Sequence, residues 1–197
     1  DLFRPNYLDV LDCVVEGGLG DGRLLLFGDF EGQDIYSRKV IDPADFKKKW
    51  CPKIAAYRLS ENCRNTKSIS GHVESLGGLK PHYTNVLRGD DGHDPVINFY
   101  SSPEAQLELV SRFLDGVFNE GFSQRDVVIL TPTRESPCLD LLKSSTRWEN
   151  QIREYDKPAT GMRHCTIQGF KGLESPVVLL IDFESMTGDY MNALLYI

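Results

Sequence analysis

The sequence predicts an α/β protein built on a mostly parallel sheet, and three observations carry that expectation. Two short, continuous, β-branched runs, Val127-Val128-Ile129-Leu130 and Val177-Val178-Leu179-Leu180-Ile181, are bounded by polar residues, as strands buried on both faces are. Ahead of the first run, residues 102–119 place Leu107, Val110, Leu114, Val117 and Phe118 on one helical stripe. Glycine, threonine and aspartate gather directly after apolar runs, where parallel sheets place their ligand loops.

Taken in chain order, residues 6–15 carry Leu8, Leu11, Val14 and Val15 at helical spacing, and Gly17-Gly18 supplies a stop. Leu24-Leu25-Leu26-Phe27 reads as a buried strand running into a loop at Gly28-Asp29. A boundary is expected near 37–55, where Asp42-Pro43 and Cys51-Pro52 flank a charged stretch. Residues 71–95, with five Gly and two Pro, read as loop or a small excursion. The 102–119 helix has Ser102 as its N-cap, Pro103 in its first turn, Glu104 at the positive end of the dipole, and Gly121 as its stop. Strands are then expected over 126–131 and 176–182.

Bulk composition excludes more than it selects. With 41% hydrophobic and 26% charged residues, the chain has the make-up of an ordinary globular protein. Its longest apolar runs, about five residues, are far too short to span a bilayer, so a cytoplasmic protein with no membrane partner is expected. The opening Asp1-Leu2-Phe3-Arg4-Pro5 has neither the basic start nor the apolar stretch of a signal peptide, and no Met, so the chain reads as a fragment. Five scattered cysteines with no C-x-x-C pair read as small hydrophobes in a reducing compartment, and no metal site is expected from them or from four isolated histidines. A net charge of −7 opposes general attraction to nucleic acid, while Lys47-Lys48-Lys49 and Arg163-His164 near Lys171 leave local basic patches.

Three segments crowd polar residues where a packed sheet has no structural need of them. In Phe27-Gly28-Asp29-Phe30-Glu31-Gly32-Gln33-Asp34-Ile35-Tyr36, a glycine and acids after an apolar run suit either a plain turn or a ligand-facing loop. Leu59-Ser60-Glu61-Asn62-Cys63-Arg64-Asn65-Thr66 sets an arginine between two asparagines. That pattern is equally a helix start and a donor fork for phosphate. The third is Thr166-Ile167-Gln168-Gly169-Phe170-Lys171-Gly172-Leu173-Glu174. Lys171-Gly172 is not a phosphate-binding loop, because Gly-x-x-x-x-Gly-Lys-Ser/Thr occurs nowhere in these 197 residues.

In this order and spelling, the three segments resemble motifs III, IV and V of the UvrD/Rep family of superfamily I DNA helicases. Gly28-Asp29…Gln33…Ile35-Tyr36 is similar to the family's "GD..QSIY", Leu59…Asn62-Cys63-Arg64-Asn65…Ile69 to "L..NYRS…I", and Thr166-Ile167…Lys171-Gly172-Leu173-Glu174…Val177-Val178 to "T.H..KGLEF..V". Asn192-Ala193-Leu194-Leu195-Tyr196-Ile197 is similar to the opening of motif VI, Val128–Arg134 to the strand between motifs IV and V, and Asp1-Leu2 to the end of "DEAQDL". The sequence departs from the pattern in several places. Cys63 replaces the usual Tyr, Gln168 a frequent His, one extra residue separates Asp29 from Gln33, and Ser37-Arg38-Lys39 replaces the aromatic and Arg-Gly-Ala that usually follow. About 100 residues separate Arg64 from Thr166, little room for a large accessory domain.

The resemblance implies RecA-like, P-loop NTPase-type architecture: residues 1–45 as the tail of a first motor domain and 46–197 as a truncated second one. It implies that Gln33 senses the γ-phosphate of ATP, that Arg64 contacts it from across the cleft, and that Glu174 holds the ribose with Lys171 and Gly172 shaping its loop. Tyr36, Thr166 and Gln168 would face DNA, either single-stranded or a duplex with a single-stranded tail. ATP and Mg²⁺ are the implied cofactors, both requiring first-domain residues absent here, so this segment alone is expected to be inactive. Further domains or other repair proteins are the implied partners. Two other readings stay open: a degenerate helicase-like module without catalysis, and an ATP-dependent nuclease subunit using the same motor.

Overall fold

The computed structural model describes residues 4–28, 41–76, 82–90, 92–156 and 160–183. Two compact units divide at Pro95 and Val96, so the boundary expected near residue 45 falls inside the first.

In the first unit, helix α1 (Pro5–Val14) opens on a proline, whose missing N–H costs nothing at a helix start. Leu8 is buried, and Leu11 and Val15 pack beside it, as the spacing predicts; Val14 instead points to solvent. Gly17 and Gly18 both take positive φ, a conformation that L side chains resist, and the chain turns there into α2 (Gly18–Asp21). The Asp12 carboxylate accepts the Leu19 N–H at 2.7 Å and so covers an orphan donor of that short helix. Helix α3 (Pro43–Lys49) is capped by Asp42, with Lys47, Lys48 and Lys49 at its negative end. Phe46, Trp50 and Cys51 join Leu8 and Leu19 in one apolar cluster, and the Trp50 indole N–H donates to Asp9 at 3.1 Å.

Leu24–Phe27 is not the buried strand its apolar run predicts. Leu24 and Leu26 pack against the small cluster, while Leu25 and Phe27 are 79% and 77% exposed. No strand ladder forms there among the described residues, so only alternate side chains find cover. Farther on, β1 (Glu61–Asn62) and β2 (Asn85–Val86) pair in parallel, and α4 (Lys67–Leu76) lies between them in the chain. The helix therefore claims residues 71–76 from the stretch expected to be irregular. Gly71 sits in it with open space where a Cβ would be.

In the second unit, α5 (Pro103–Asn119) matches its sequence signals. Ser102 Oγ accepts the Ala105 N–H at 3.2 Å, and Val110, Leu114 and Val117 are buried. After it come β3 (Val127–Thr131), α6 (Pro137–Ser144), β4 (Ile152–Glu154), β5 (Met162–Thr166), α7 (Ile167–Phe170) and β6 (Val177–Leu180). The four strands form one all-parallel sheet in the order β4-β5-β3-β6, with Ile129 opposite both His164 and Leu179. β3 lies inside this sheet and is buried at all five positions. Val127, Ile129, Met162, Ile152 and Ile181 form one core with residues of α5 and α6. Trp148 joins this core and donates its indole N–H to Ser111 at 3.1 Å. On β6, Val178 and Leu180 remain 44% and 43% exposed. No helix among the described residues is long and apolar enough to cross a membrane.

Candidate functional site

Arg64 follows β1 closely, on a turn whose polar groups are tied down from several sides. Asn62 is buried, and its side-chain oxygen accepts the N–H of Arg64 at 2.9 Å and of Asn65 at 3.0 Å. An aspartate or asparagine that accepts from residues ahead of it makes a local turn without a sheet or helix partner. The buried Thr66 then covers the start of α4, accepting the Ile69 N–H at 3.4 Å through its hydroxyl and the Ser70 N–H at 2.9 Å through its carbonyl. The helix-start reading of this segment is therefore realised by Thr66, with Asn62 holding the turn ahead of it, while the Arg64 side chain stays exposed. Cys63 is exposed as well, unlike the buried small hydrophobe expected of it, as is Cys13. Cys51 and Cys138 are buried, and all five cysteines are free thiols.

In the second unit, five expected site residues fall in one connection, from the end of β5 to the start of β6. Thr166 closes β5, and its hydroxyl accepts the Gly169 N–H at 3.1 Å, capping α7. Thr166, Gln168 and Lys171 are half-buried, and Glu174 is exposed. Gly172 has φ of +83° with open space around the Cβ position, so the backbone conformation, not crowding, calls for glycine there. Ser175 donates to the Asp126 carbonyl at 2.8 Å, which fastens the end of the connection beside the start of β3. The segment thus runs from the carboxyl end of the sheet at Thr166 back to its amino end, with Lys171 and Gly172 between Gln168 and Glu174. Gln33 and Tyr36 lie outside the described residues.

At the carboxyl ends of β3 and β6 stands a buried polar group that the sequence did not single out. Asp182 takes φ of +60°, rare for a residue with a side chain. Its carboxylate accepts from the Ser136 hydroxyl and, at 3.3 Å, from the Cys138 N–H at the start of α6. With its amide turned so that the nitrogen faces the carboxylate, Gln106 of α5 donates to it at 2.6 Å and accepts the Asp182 N–H at 2.9 Å and the Tyr100 hydroxyl at 3.2 Å. Ser136 also accepts the Leu139 N–H at 3.2 Å, so one hydroxyl caps α6 and anchors Asp182 together. Only the position of Asp182, just past an apolar run, hinted at it.

Beside Thr166, burial pushes the Cys165 thiol up to about 11, against the opposing pull of the Arg163 guanidinium. Cys165 is therefore a protonated thiol near neutral pH, unsuited to act as a nucleophile. Among the described residues, no three His, Cys, Asp or Glu side chains come together as a metal site. A Mg²⁺ ion finds no carboxylate set among them. Comparison with protein-family models, curated proteins and solved structures returns no match to this chain.

Proposed function

We propose that these residues form part of the ATP-driven motor of a UvrD/Rep-like DNA helicase, a RecA-like segment that senses nucleotide and grips a single strand. One observation carries the reading. Within the segments that resemble motifs IV and V, Arg64 and Thr166 both stand where the chain leaves a parallel strand, Arg64 just after β1 and Thr166 at the end of β5. In open parallel sheets that is where loops meet ligands.

In this reading Arg64 meets the γ-phosphate. Phosphoryl transfer spreads negative charge over the transferring group, and a guanidinium already aimed at it stabilises the transition state without reorganising. Glu174 accepts from the ribose, while Thr166 and Gln168 grip the strand. The β5–β6 connection holds both grips on one length of chain, so a shift at the nucleotide end moves the DNA end. The phosphate-binding loop and the acids that hold Mg²⁺ are then supplied by other residues of the parent protein.

The test is single-stranded-DNA-stimulated ATP hydrolysis by the full-length protein. Arg64→Ala is expected to lower kcat by about 10²-fold or more, in keeping with arginines that stabilise phosphoryl transfer. Unchanged hydrolysis would reject the phosphate contact. Cys63 in place of an aromatic and the net charge of −7 favour a non-catalytic interaction module as the second reading. A parent protein without detectable ATPase would establish that alternative.

A further inference from the structure

We infer that Asn62 is a positioning residue for Arg64 and that Arg88 completes the clamp; the inference rests on the proposed phosphate contact of Arg64. An exposed arginine has a long flexible stem, so its aim depends on how firmly its own backbone is held. Here that backbone is bonded on both sides. The Arg64 N–H donates to Asn62 Oδ1 at 2.9 Å, and the Arg64 carbonyl accepts from Arg88 Nη1 at 2.8 Å.

Each clamp is itself anchored. Asn62 is 6% exposed, and its amide nitrogen donates at 2.9 Å to the hydroxyl of Ser70, which is 1% exposed within α4. Arg88 follows β2, and the Leu87 N–H donates to the Asn62 carbonyl at 2.8 Å. Beyond Arg88, Asp90 accepts the Ser68 N–H at 3.1 Å, and Asp94 accepts the Ser68 hydroxyl. Capping α4 does not explain Asn62, because Thr66 already serves that helix. What Asn62 adds is a fixed turn at Arg64 and Asn65. Arg88, in turn, directs its guanidinium to a main-chain carbonyl on an exposed turn.

A group that must meet a transferring phosphoryl tolerates little misplacement, and an error of about 1 Å can cost roughly 10²-fold in rate. In the full-length protein, Asn62→Leu is therefore expected to lower kcat for DNA-stimulated ATP hydrolysis by at least about tenfold. KM for ATP should hold within about threefold, because the stabilisation removed acts in the transition state and not on bound substrate. With Arg64→Ala already in place, Asn62→Leu should cost nothing further, the coupling expected of residues that act as one unit. Asn62→Asp should recover most of the rate. Its carboxylate still accepts both N–H groups, and the Ser70 hydroxyl can turn to donate.

The outcomes separate cleanly. If Arg64→Ala leaves kcat unchanged, the phosphate-contact reading fails and this inference with it. If Arg64→Ala lowers kcat while a folded Asn62→Leu protein keeps it, or if the two losses multiply, only the positioning role is overturned. Should Asn62→Leu not fold, Arg88→Ala carries the same test, since Arg88 is exposed. It should lower kcat about threefold to tenfold alone and not at all on top of Arg64→Ala. Independent losses would again overturn the clamp.

Discussion

Asp182 shows how a single residue can be held in an unfavourable backbone conformation by what surrounds it. A side chain at positive φ costs about 1–2 kcal/mol relative to glycine, so backbone preference alone would make Asp182→Gly stabilising. The substitution also removes the acceptor for Ser136, Cys138 and Gln106, and a buried donor left unmade costs about 1–3 kcal/mol. The network wins. Asp182→Gly is expected to destabilise the protein by at least about 1 kcal/mol in urea unfolding, and a gain in stability would refute that ranking. Cys165 allows a second prediction at this scale. Between the ordinary value of 9.0 and its own value of about 11, the unfolded thiol has lost its proton and the folded one has kept it. Ionisation there favours the unfolded chain, so Cys165 lowers stability as pH rises through that window and has no effect below it. In the native protein at about pH 7.5, iodoacetamide should modify Cys13 and Cys63 first, with Cys165 joining only as pH approaches 11; mass mapping of the alkylated peptides reads the order directly.

At the scale of elements, what could be read from sequence followed periodicity. α5 was legible because cap, proline, stripe and terminal glycine agree, and β3 because its first four residues are apolar and it is buried on both faces. β4 and β5 were not. Residues 152–154 carry one apolar side chain, and β5 reads Met-Arg-His-Cys-Thr, with Arg163 stacked over the Tyr155 ring at 4.5 Å instead of packing as a hydrophobe. Strands of this kind are recruited by ladder bonds to a buried neighbour, and no local pattern announces them. In the Leu24–Phe27 run the opposite holds: strong apolar character without a ladder among the described residues. Within α5, Gly116 has open space where a Cβ would stand. Gly116→Ala is expected to stabilise the protein by about 0.5–1 kcal/mol, measurable as a raised midpoint in urea. A loss of stability would mean that the site is tighter than its geometry implies.

At the scale of the molecule, the described residues include one apolar cluster around Leu8, Leu19, Phe46 and Trp50 and another around β3, α5 and α6. Leu8→Ala and Leu114→Ala each empty a fully buried position and should each cost about 2–5 kcal/mol. Because they share no cluster, their effects in the double variant should add to within about 0.5 kcal/mol. A larger departure in denaturant titrations would reveal coupling between the units.

The sequence by itself determined the α/β class, the long helix with both its ends, and the order of three polar segments whose spelling resembles a helicase motor. It could do so because helical stripes, buried runs and caps are local, and each is written within a few residues. Tertiary structure decided which strands pair, that Gly71 belongs inside a helix, and that alternate side chains of the Leu24–Phe27 run face solvent. It also brought Asn62, Ser70 and Arg88 around Arg64, and Gln106 and Ser136 around Asp182. Those partners lie 2 to 76 residues apart in the chain, and most are polar residues that carry no periodic signal. Hydrogen bonds between distant polar groups are chosen by the fold, because burial alone makes leaving them unpaired costly.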